Sequence, residues 1–90
     1  MPALKFSYGG ERMFTANKVI MEATSSSGIY FNLLAAVREH GGKVIREDHG
    51  RGMYGDKSAE WRFPDGSIVR AHWFDSGYGP YDDEITIVAS

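Results

Sequence analysis

Residues 58 to 74 alternate between apolar and polar. Ala59, Trp61 and Phe63 interleave with Ser58, Glu60 and Arg62, the period of a strand with one wet face. Phe63-Pro64-Asp65-Gly66-Ser67 then reads as a turn. Pro64 presets φ, Asp65 bonds nearby backbone and Gly66 takes a left-handed conformation. Val69, Ala71 and Trp73 return on one side. The pattern predicts a β-hairpin at the centre of an antiparallel sheet.

The rest of the chain is read around that hairpin. Leu4, Phe6 and Tyr8 alternate with Lys5 and Ser7, predicting a first strand closed by Gly9-Gly10. Arg12 to Ala23 reads as a second strand, central because Val19, Ile20 and Met21 place apolar groups on both sides. Thr24-Ser25-Ser26-Ser27 is a run of helix N-cap residues. The period then changes. Tyr30, Leu33, Leu34 and Val37 fall at i, i+3, i+4 and i+7, with Asn32, Ala35, Arg38 and Glu39 on the other side. Gly41-Gly42 is the stop, so a helix is expected from about Ser27 to His40. Lys43 to Asp48 is a third strand, His49 to Lys57 a loop, Asp75 to Asp82 a second loop, and Glu84 to Val88 the last strand. The order β-β-α-β-β-β-β predicts one α+β domain over residues 1–90. Its antiparallel sheet has about five to six strands, one helix packs on one face, and a meander follows the helix. Trp61, Trp73, Leu33, Leu34 and Val37 are the expected core.

Composition narrows the chemistry. Ninety residues with 42% apolar content suffice for one modest core. Cysteine is absent, which removes disulfides, thiolate nucleophiles and thiolate metal sites together. The N-terminus, Met-Pro-Ala-Leu-Lys-Phe-Ser, lacks the apolar stretch of a signal peptide, and no apolar run is long enough for a membrane span. A cytoplasmic protein is the expectation. A net charge of −2 argues against non-specific nucleic-acid binding.

Two loops and one face are the candidate surfaces. On the first loop, Arg51 and Tyr54 stand among Gly50, Gly52 and Gly55. This is not a phosphate-binding glycine motif, and its glycines equally suit a long hairpin connection. On the second loop, Tyr78 and Tyr81 accompany Asp82, Asp83 and Glu84. Tyrosines on a glycine-rich loop present large amphipathic area at low entropic cost, and acidic neighbours suit a basic partner. The face consists of Arg46, Arg62 and Arg70, joined by Lys57, as a route to nucleic-acid phosphates. Cross-strand pairing with Glu60 is the simpler use of those arginines. His40, His49 and His72 show neither helical i, i+4 nor H-x-H spacing, so no metal and no cofactor are expected. No serine lies in a nucleophile motif, so no catalytic residue is assigned.

Residues 33 to 73 resemble HicA-type messenger-RNA interferase toxins in architecture. The resemblance lies in Leu33–His40, in Gly42-Lys43-Val44-Ile45-Arg46 and in Phe63-Pro64-Asp65-Gly66. It implies a helix followed by three antiparallel strands, similar to double-stranded-RNA-binding domains. The position of the family's catalytic histidine reads Gly55-Asp56-Lys57-Ser58, so the resemblance does not carry the activity.

The expectation is therefore a small, non-enzymatic protein-interaction module, a regulator or inhibitor. A phage or mobile-element protein blocking a host nucleic-acid-binding complex, as anti-CRISPR proteins do, is one version. Its contacts would be Tyr78, Tyr81, Asp82, Asp83, Glu84, Arg51 and Tyr54. An RNA- or DNA-binding module using Arg46, Lys57, Arg62 and Arg70 is the alternative, and a small hydrolase the third.

Overall fold

The hairpin forms the middle of the sheet. The computed structural model describes residues 6–7, 14–50, 54–76 and 80–90. Its elements are β1 (Phe6–Ser7), α1 (Phe14–Ala23), α2 (Ile29–Glu39), β2 (Lys43–Asp48), β3 (Tyr54–Arg62), β4 (Ile68–Ser76) and β5 (Ile85–Ala89). Strands β2 to β5 are an antiparallel meander. The sheet order is β1-β5-β4-β3-β2, with the two-residue β1 parallel to β5. In the hairpin Arg62 faces Ile68, and the Phe63 and Ser67 backbones close the turn at 2.9 Å. The alternation holds: Ala59, Trp61, Phe63, Val69, Ala71 and Trp73 are all buried, together with Ile85, Ile87 and Ala89 of β5.

Both helices pack on that apolar face, giving a two-layer α+β sandwich. This corrects the strand expected over Arg12–Ala23, because Phe14–Ala23 is helical. Ala16, Val19, Ile20 and Ala23 follow i, i+3, i+4, i+7 and are completely buried. Met21, which made the run look two-sided, points to solvent. The expected helix is present as α2. Its buried stripe is Leu33, Ala36 and Val37, and Leu34 is 38% exposed rather than in the core. Tyr30 is half-buried, its ring 5.1 Å from that of Trp73.

The serine run does not cap α2. Thr24 Oγ1 and Ser25 Oγ donate back to the carbonyls of Ile20 and Glu22, both at 2.8 Å, and so finish α1. The N-cap of α2 is Gly28, whose φ of 79° needs a residue without a β-carbon. Glycine does close the helix as read. Gly41, at φ 73°, donates to Arg38 O and Gly42 donates to Val37 O, a Schellman motif.

Strand β2 is an edge. Val44 faces Trp61 while Arg46 faces Glu60, so Ile45 is the extra residue of a bulge. All six β2 residues are exposed. A bulge on a charged edge bends it away from pairing with another sheet. The two expected loops are shorter than read, because Tyr54–Lys57 belong to β3 and Asp75–Ser76 to β4.

Candidate functional site

The turn into β5 is a single 3₁₀ turn, Asp82–Glu84, entered through Tyr81. Glu84 N–H donates to Tyr81 O at 2.9 Å, and Tyr81 N–H donates to Glu84 Oε1 at 3.2 Å. Asp82 leaves the turn and reaches α2. Its carboxylate accepts from Ile29 N–H at 2.8 Å and from Gly28 N–H at 3.1 Å. These amides belong to the open N-terminus of a helix, where a carboxylate also opposes the positive end of the dipole. Asp82, read as a contact residue, therefore also has a structural task. Tyr81 is carried beside this cap and is 63% exposed. Phe31, in the first turn of the same helix, is 67% exposed and stacks edge-on with Tyr30 at 5.6 Å. The cap thus ties two exposed aromatic residues to one end of the molecule. Phe31 was missed in the sequence, although it lies off the Tyr30–Leu33–Val37 stripe and so on the wet side of the helix. Tyr78 and Arg51 lie outside the described residues, as does the side chain of Tyr54, whose backbone begins β3.

The sheet face away from the helices carries Arg46, Arg62, Arg70 and His72, all exposed. Arg70 Nε donates to Glu60 Oε1 at 2.7 Å, and Glu60 is also the register partner of Arg46. Asp48 and Ser58 border the same shallow hollow of about 250 Å³. His72 lies 3.5 Å from Asp56. Among the described residues, each cation of this face has an anion nearby, except toward the end where Lys43 faces Arg62.

Lys57 departs from the expected arginine set. Counting by twos from Ala59 puts it on the helix side of β3, where Nζ meets Asp75 Oδ2 at 3.1 Å. These side chains are only 13% and 18% exposed. Burial, then the negative charges of Asp75 and Glu47, raise the Tyr30 hydroxyl above the usual phenol range.

No family model, no curated protein and no solved structure matches this chain. The run α2-β2-β3-β4 is a helix followed by three antiparallel strands, the arrangement implied by the HicA-type resemblance. Among the described residues, no helix is long and apolar enough to cross a membrane.

Proposed function

We propose that this chain is a non-enzymatic protein-interaction module, a regulator or inhibitor that acts by docking on a partner protein in the cytoplasm. The observation that supports this is the mounting of Tyr81 and Phe31. Both rings are mostly exposed, and the Asp82 cap joins the segments that carry them. Exposed aromatic residues on a hydrogen-bonded backbone suit interface hot spots, because the backbone that carries them has less ordering entropy to lose on binding. Asp83 and Glu84 beside Tyr81 suit a partner with a basic rim. Tyr78, Arg51 and Tyr54 remain in the proposal as the further contact residues expected from the sequence alone.

The nucleic-acid alternative has less support. Its arginines share their face with Glu60, Asp48 and Asp56, and Lys57 lies on the other side. The test is a paired substitution. Tyr81→Ala and Phe31→Ala should each weaken partner binding by about 2 kcal/mol or more while the fold remains intact. Binding to RNA or DNA that falls steeply with salt and flattens by about one unit of slope in Arg70→Ala would instead favour the alternative.

A further inference from the structure

Glu22 in the last turn of α1 and Glu39 at the end of α2 both sit at the negative ends of helix dipoles. Anions are disfavoured there, yet the fold brings the two together. His40, the C-cap of α2, completes the group. Its Nε2 lies 2.5 Å from Glu22 Oε2, and donor atoms of all three residues lie within 4.8 Å of one another. Among the described residues, the ion-pair partner of Glu22 is His40 alone, and neither carboxylate meets a lysine or arginine. Two carboxylates thus share at most one positive charge at a place where both helix ends add negative potential. A hollow of about 300 Å³, bordered by Glu22, Ser25 and Glu39, opens beside them and leaves room for water.

We propose that Glu22, Glu39 and His40 form a binding site for one divalent cation of the zinc type, clipping the end of α1 to the end of α2. One imidazole nitrogen and two carboxylate oxygens suit zinc, which takes three such ligands and completes its shell with water. Magnesium and calcium prefer all-oxygen sets. Zinc-bound donors at about 2.1 Å from the ion stand roughly 3.4 Å apart, so the His40–Glu22 pair opens by about 1 Å to admit the ion. The histidine spacing in the sequence did not reveal the group, because Glu22 joins it only through helix packing.

Calorimetric titration of the full chain with zinc chloride alone, paired with thermal melts, tests the site. One zinc per chain should bind saturably and raise the melting temperature by a few degrees, whereas magnesium and calcium should not. Glu39→Gln, which keeps the His40–Glu22 contact, and His40→Gln should each weaken zinc binding by about 10-fold or more. Melts without metal establish that both variants are folded. His49→Gln and His72→Gln should bind as wild type does. No stoichiometric binding, binding that survives Glu39→Gln, or binding lost in the His49 or His72 variants would overturn the proposal.

Discussion

Two aspartates hold the helix layer to the far half of the chain. Asp82 caps α2 from a distance of more than fifty residues, and Asp65 does the same for α1. Asp65 Oδ2 accepts Thr15 N–H at 3.0 Å, and Oδ1 accepts Ser67 N–H at 2.9 Å and Ser67 Oγ–H at 2.6 Å. Ser67 Oγ in turn accepts Ala16 N–H at 3.0 Å in a buried position. Replacing Asp82 with alanine should cost about 1 kcal/mol, the usual cost of losing an N-cap. Ser27→Ala, which removes the cap residue nearest in sequence, should change stability by less than about 0.5 kcal/mol. Urea melts of the two variants compare the remote and local caps directly. A larger loss in Ser27→Ala would reverse the assignment.

Asp65 also makes a pH prediction. The bonds from Ser67, and then that from Thr15, hold its carboxyl well below the usual carboxylate range. A folded-state pKa below the unfolded value of about 3.9 adds stability that is complete above that value and is lost as pH falls below it. Urea midpoints measured from pH 6 down to about 2 should therefore fall less steeply in Asp65→Asn than in wild type across the acid limb. Parallel curves would show that the Asp65 bonds do not hold in solution.

At the scale of the element, the hairpin dominates. Trp61 is 7% exposed and faces Val69 across the ladder and Val44 on the edge. Trp61→Ala should cost about 3–5 kcal/mol, enough to unfold much of a domain this small. On the opposite face of the sheet, breaking the partly exposed Arg70–Glu60 pair should cost only about 1 kcal/mol. A Trp61→Ala loss under about 1 kcal/mol in a urea melt would remove Trp61 from the core.

Elements set by local pattern were legible in the sequence. The hairpin, β2, α2 and its glycine stop all follow from periodicity and turn chemistry within a few residues. Helix α1 was not read, because Val19-Ile20-Met21 looks two-sided until Ala16 and Ala23 are counted as core residues. Alanine carries a weak apolar signal, yet Ala16 and Ala23 are as completely buried as Val19 and Ile20. The parity of Lys57 was legible from Ala59 and Trp61 but was obscured by assigning it to a loop. The caps of both helices were not legible, since they join segments about fifty residues apart that only tertiary packing brings together.

At the scale of the whole molecule, the two layers present different surfaces. The outer sheet face is a mixed lattice of charges in which Glu60 lies between Arg46 and Arg70 in register. Around the start of α2, exposed aromatic rings stand beside a capped helix end. The first is what a solvated face needs, and the second is what a partner can bury. Charge changes such as Arg62→Gln should therefore leave partner affinity within about 0.5 kcal/mol, whereas aromatic truncations near Asp82 should not.

The most direct test is an equilibrium binding measurement on the nuclease-treated protein partner captured from source-cell extract. It compares wild type with the Phe31→Ala/Tyr81→Ala double variant after circular dichroism has shown the variant folded. The expected result is stoichiometric binding by wild type, weakened at least about 30-fold in the double variant, with the melting temperature moved by only a few degrees. Unchanged affinity in a folded double variant, or a captured species that nuclease destroys, would contradict the account.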